Sequence, residues 1–98
     1  MSFATFTFNS GTNAGADIQD SAAVVIAAGE SIRVRFTEFT PTAEAFLVVT
    51  ANGVTSTIPI DNKTAWVSGA VAASDSVIVR ARLNSSSGRV AGIVAGFS

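Results

Sequence analysis

The sequence predicts an all-β fold, a small antiparallel β-sandwich or jelly-roll-like domain of about eight short strands, and three observations lead there. Apolar residues repeat with the two-residue period of a strand. Clusters of Gly, Asn, Asp and Ser break these runs roughly every 8–12 residues, the spacing of sandwiches and small barrels. Helical signals are lacking: the single Ala-rich stretch, residues 14–28, contains the β-branched Val24, Val25 and Ile26 and has no good caps. A chain of 98 residues has length for one modest core, so residues 1–98 are read as a single domain.

The elements follow in order. Ala4, Phe6 and Phe8 alternate with Phe3, Thr5 and Thr7, which makes the first strand. Residues 9–21 hold Asn, Gly, Ser, Thr and Asp without a sustained period and read as a long surface loop. Residues 22–27 form the second strand. Ala28, Gly29 and Glu30 turn the chain into a segment where Ile32, Val34 and Phe36 fall on one face and Arg33, Arg35 and Thr37 on the other. Pro41 ends that strand or its connection, because it cannot donate to a ladder.

Residues 44–51 and 54–60 flank Asn52-Gly53, a pair that tolerates the positive φ angles of a type I′ hairpin turn. Residues 64–70 and 76–83 supply two more strands, entered through Asp61-Asn62-Lys63 and Ala73-Ser74-Asp75. Residues 84–88 are a polar five-residue loop that reads as the turn of a closing hairpin into residues 89–97. Short connections favour meander hairpins, and residues 9–21 and 37–44 are the expected crossovers between sheets.

Composition narrows the function. Hydrophobic residues make up 48% of the chain and charged ones 13%, against about 25% in typical soluble domains, so the surface is bland and in part suited to being covered. A net charge of −1 provides no field to attract nucleic acid or an anionic membrane, and neither is expected as a partner. No run is long enough to span a bilayer as a helix. The opening Met1-Ser2-Phe3-Ala4-Thr5-Phe6 has no positive n-region and no apolar h-region, so no signal peptide is expected.

Cys, His and Tyr are absent, which removes disulfides, thiolate metal sites and the commonest general bases. Ser and Thr hydroxyls need an adjacent base to act as nucleophiles, and Lys63 lies in a solvated turn. An enzyme is not expected, and no catalytic residue or cofactor is assigned. Asp17, Asp20 and Asn13 offer oxygen ligands to Ca²⁺, but their spacing fits no EF-hand and the same residues serve any solvated loop, so no metal is assigned. Asn62-Lys63-Thr64 and Asn84-Ser85-Ser86 match the glycosylation acceptor pattern, read as chance matches in Ser/Thr-rich turns.

What exceeds a generic domain is contact chemistry. Phe46, Leu47, Val48 and Val49 are contiguous, and residues 90–97 are apolar on both faces, whereas a sandwich buries one face of each sheet. Phe46, Val48, Ile93 and Phe97 are therefore candidate interface residues. Arg33 and Arg35 share one strand face and Arg80 and Arg82 another, so pairing of those strands would gather four guanidiniums for bidentate recognition of carboxylates; the alternative is a solvated outer face. Trp66 is a candidate ligand contact in a carbohydrate-binding reading, and otherwise core or interface filler.

The chain resembles the small β-sandwich decoration, or cement, proteins of tailed bacteriophage capsids. The resemblance lies in the Met1 start, the Cys-free and His-free Ser/Thr/Ala/Val-rich strands at residues 22–36 and 45–60, and the apolar ending at residues 93–97; it spans the chain without a diagnostic motif. It implies a structural virion protein, made in the host cytoplasm and located on the virion. In that family the subunit is a homo-oligomer, often a trimer, that binds the major capsid protein and stabilises the shell. No residue role is transferred. The alternative is a carbohydrate-binding or receptor-binding β-sandwich module of a tail or fibre, with an Ig-like appendage third.

Overall fold

The protein, seen in a computed structural model, is described over residues 2–9, 17–84 and 87–98, with Asp17 described by its backbone alone. Nine strands are present among these residues: β1 (Phe3–Asn9), β2 (Asp17–Asp20), β3 (Val24–Ile26), β4 (Ser31–Phe39), β5 (Glu44–Ala51), β6 (Val54–Ile60), β7 (Ala65–Ala70), β8 (Asp75–Leu83) and β9 (Arg89–Phe97). They form an antiparallel β-sandwich. A front sheet runs β1-β9-β4-β7 and a back sheet runs β2-β8-β5-β6, with β3 beside β8 as well.

Alternation decides what is inside. Phe6, Phe8, Ile32, Val34, Phe36, Val90 and Val94 of the front sheet meet Val24, Ile26, Ala45, Leu47, Val77, Val79, Ala81 and Leu83 of the back sheet in one buried cluster. Neighbours in sequence face outward, and the alternation marks the inward side wherever the outer residues are polar; Leu47, Val90 and Val94 lie in runs apolar on both faces, where it does not. The Asn52-Gly53 hairpin is present as expected, with φ of 53° and 76°, joining β5 to β6 one-to-one.

Two readings of the connections are corrected. Residues 84–88 do not close a hairpin: β8 lies in the back sheet and β9 in the front sheet, between β1 and β4. Meander topology is likewise absent, because the short connections at residues 27–30, 40–43, 61–64 and 71–74 all step between sheets. The reason is reach: four residues extend about 13 Å, enough to cross the roughly 10 Å between packed sheets. Backbone bonds tie neighbouring arches together, Gly29 N–H to the Val71 carbonyl at 2.9 Å and Val71 N–H to the Glu30 carbonyl at 2.9 Å. The loop expected over residues 9–21 contains strand β2, and residues 10–16 lie outside the described residues.

Serine hydroxyls repair the ladders where strands are irregular. β2 and β3 share one edge of β8, and the gap between them is bridged at Ser21, whose N–H donates to the Val79 carbonyl (2.8 Å) while its Oγ accepts from the Val79 N–H (2.9 Å). On the front sheet the β4–β7 register slips between Ser31 and Arg33, and Ser68 Oγ accepts the Ile32 N–H at 2.9 Å. Both groups are partly buried, where an unpaired donor is costly.

Gly92 sits where no side chain fits. It pairs with Phe6 on one side and Phe36 on the other, and those rings meet over it edge to face at 6.0 Å. A Cβ at this position would collide with the Arg35 carbonyl oxygen and come within 3.0 Å of the Phe36 Cα. Gly92→Ala is expected to destabilise by about 1–3 kcal/mol, the range for overpacking. In a domain of this size that lowers the melting midpoint by roughly 4–8 °C per kcal/mol, read in a thermal melt. Ser21→Ala strands the Val79 N–H and is expected to destabilise by about 1–3 kcal/mol in the same assay.

Candidate functional site

The outer face of the front sheet carries the most distinctive chemistry. β4 directs Arg33 and Arg35 outward; β9 sets Ala95 and Ile93 opposite them on one side, and β7 sets Val67 and Ala65 opposite them on the other. Phe97 ends the β9 row, and the Arg33 guanidinium carbon lies 4.5 Å from its ring centroid, a cation–π contact. Arg33, Arg35, Ile93, Ala95 and Phe97 line a shallow depression of about 250 Å³. Phe3 at 62% and Val67 at 59% exposure flank it with further apolar surface.

Neither arginine is held by a carboxylate. Among the described residues the ion pairs are Arg80–Asp20 at 2.8 Å and Arg89–Glu38 at 2.9 Å, and neither involves Arg33 or Arg35. Two guanidiniums therefore present donors to solvent over an apolar floor, a pairing of residue types enriched at protein interfaces.

The expected cluster of four arginines is corrected. Arg80 and Arg82 lie on β8, in the other sheet, so their outer face points away from that of β4. Alternation had shown which face each pair occupies, but not that the arches would part the strands. Arg80 is held by Asp20 through Nε–Oδ1 at 2.8 Å and Nη2–Oδ2 at 3.1 Å. Hydrogen bonding to Asp20 and then its charge raise the Arg80 pKa, so the guanidinium stays charged at any ordinary pH. That bond also engages the Asp20 carboxylate, one of the oxygen ligands weighed for Ca²⁺ without a metal being assigned; Asn13 and the Asp17 side chain lie outside the described residues.

Phe46 and Val48 face outward from the back sheet, opposite Arg80 and Ile78 of β8, and so are not brought to Ile93 and Phe97. Val48 is nonetheless only 7% exposed within the single chain. Trp66 faces inward opposite Val34 and packs, half-buried, against the core. Asn62 Oδ1 accepts the Thr64 N–H at 2.8 Å, so the first glycosylation-type triplet is a side-chain-stabilised turn. Asn84 Nδ2 donates to the Thr42 carbonyl (2.9 Å) and to Glu44 Oε1 (2.8 Å), and residues 85 and 86 lie outside the described residues.

One feature had no signal in the sequence. A cleft of about 340 Å³ opens at the end of the sandwich, with Phe39, Pro41, Phe46 and Pro59 as walls and Glu44, Asp61 and Lys63 on its rim. The Lys63 ammonium lies 5.2 Å from the centre of the Phe39 ring and donates to the Pro41 carbonyl. Its residues come from the two separate arches at 40–43 and 61–64 and their strand ends, which only the topology brings together. No group of three or more carboxylates that could hold a metal occurs among the described residues.

No protein-family model matches this chain, and no curated protein does. Among solved structures it is similar to Aeromonas hydrophila PliG, a periplasmic lysozyme inhibitor of g-type lysozyme, with a TM-score of 0.56 and 17% identity over 97% of this chain and 82% of that one. At this identity the likeness establishes the fold, a two-sheet β-sandwich. It also corrects the expected virion location: the sandwich that suggested a virion is matched by that of a periplasmic protein, so the architecture no longer supports placing the chain there.

Proposed function

We propose that this protein is a non-enzymatic binding module that holds another protein against the outer face of its β1-β9-β4-β7 sheet. Arg33 and Arg35 take carboxylates of the partner, while Ile93, Phe97 and Phe3 take apolar side chains. The observation that carries this reading is the pair of guanidiniums without a carboxylate partner beside the half-buried Phe97 ring in one shallow depression. Arg and aromatic residues dominate measured interface energies, because each combines large buried area with directed polar contacts.

A binding role also fits a chain without His, Cys or Tyr, and the similar fold of PliG belongs to a protein named as an inhibitor. The carbohydrate reading rests on Trp66, whose ring is half-buried against the core and offers less face for a sugar to stack on.

Two protein probes follow, the g-type lysozyme named for the neighbour and the capsid shell protein implied by the sequence resemblance. Titration of either onto the immobilised protein, by interferometry, is expected to give saturable binding that Arg33→Glu with Arg35→Glu weakens at least roughly thirtyfold and Phe97→Ala at least roughly tenfold. Arg82→Glu, on the opposite face, is the control and leaves binding unchanged. Binding that ignores the front-face variants would overturn the assignment of this face, and glycan binding lost on Trp66→Ala would replace it with the carbohydrate reading.

A further inference from the structure

A sandwich has four open edges, and natural sheets blunt such edges with charge, proline, bulges or brevity. Three of the four here are blunted. β2 is four residues long with aspartates at both ends, and β3 is three residues long. β6 contains Pro59, which has no N–H to offer. β7 slips register against β4. β1 has none of these protections: Phe3–Asn9 carries no charge and no proline, and it pairs with β9 one-to-one without a bulge along its whole length.

The ladder shows which backbone groups that edge presents. Gly96 N–H donates to the Ser2 carbonyl at 3.0 Å, so the even-numbered residues of β1 bond to β9. In an antiparallel ladder the alternate residues turn their N–H and C=O the other way. Phe3, Thr5 and Thr7 therefore aim both groups at the open edge, and no described residue bonds to them. Asn9 is already engaged there, its carbonyl accepting from Gln19 Nε2.

We propose that two copies of this chain join through β1, antiparallel about a two-fold axis at Thr5. Phe3 then pairs with Thr7, Thr5 with Thr5 and Thr7 with Phe3, each pair exchanging two hydrogen bonds. The register is compatible because all three residues have the outward parity, and a twofold axis through Thr5 pairs odd positions only with odd ones. A second copy suits this edge because an uncharged strand meets itself without like-charge repulsion, and the exposed Phe3 gains a cross-strand Thr neighbour. The inward face of β1 needs no rearrangement, since Phe6 and Phe8 are already buried in their own subunit. Each copy has one such edge, so the pairing closes at two and joins the front sheets into one. The family resemblance had implied a homo-oligomer, often a trimer.

The test is sedimentation equilibrium of the full chain from micromolar to millimolar concentration, with hydrogen exchange at both ends of the range. The wild type is expected to approach twice the monomer mass, with the Phe3, Thr5 and Thr7 amides slowing as concentration rises. Thr5→Pro removes an N–H that faces solvent in the monomer, as edge strands tolerate, and is expected to raise the dimer dissociation constant at least roughly thirtyfold while the near-UV spectrum is kept. Should that variant not fold, Thr5→Lys places like charges across the axis and is expected to give the same loss. A wild type that stays monomeric at millimolar concentration, forms a trimer, or dimerises equally well after either substitution overturns the proposal. The protein-binding face is read separately through Arg33, Arg35 and Phe97, so one reading can fail without the other.

Discussion

Strand β9 divides its residues by parity, and the molecule is organised around that division. Its even positions bond to β1 and point inward as Val90, Gly92, Val94 and Gly96; its odd positions bond to β4 and point outward as Ala91, Ile93, Ala95 and Phe97. Gly92 lets the rings of Phe6 and Phe36 meet across the strand from both sides, so a missing side chain is filled by aromatic neighbours. Ile93 and Phe97 supply the apolar floor beneath Arg33 and Arg35. The depression on the front face and the free edge of β1 are thus both consequences of where one strand lies.

The alternation was legible in the sequence wherever one face is dry and the other wet. Ile32, Val34 and Phe36 against Arg33, Arg35 and Thr37 is the clearest instance, and Asn52-Gly53 announced its turn because few other pairs accept two positive φ angles. Strand partnership was not legible. A four-residue arch and a four-residue hairpin draw on the same turn residues, and nothing in residues 84–88 distinguishes a return within a sheet from a step across the core. β2 was missed because Asp17-Ile18-Gln19-Asp20 has one apolar residue, which faces outward, and its strand character comes from pairing with β8.

The same limit explains which site residues came together. Arg33, Arg35, Ile93 and Phe97 converge because β4 and β9 are neighbours, while Arg80, Arg82, Phe46 and Val48 occupy the opposite face because β5 and β8 are neighbours in the other sheet. Period-two patterning states that a residue faces out; it is silent about which outside. The contiguous Phe46–Val49 run had suggested a strand dry on both faces, and Val48 on the outer face is dry within the single chain. The end cleft was invisible for a stronger reason, since its residues come from two separate arches and the strands β4, β5 and β6 beside them, which only the three-dimensional path brings together.

The two proposed contacts act on one sheet, and this links them physically. Pairing through β1 would set the order β4-β9-β1-β1-β9-β4 across the join, five strand spacings of about 4.8 Å, so the two arginine pairs would stand roughly 24 Å apart on one continuous face. A partner presenting carboxylates once would engage either patch with a single-site affinity. A partner presenting them repeatedly, as a multimer or a surface does, would engage both, and the second contact would form at an effective concentration fixed by that separation. Two arginines per chain are modest as an isolated site. Doubled on a shared, twisted sheet, they select for partners whose acidic groups repeat at a matching distance, and they do so without a deep pocket or a catalytic group.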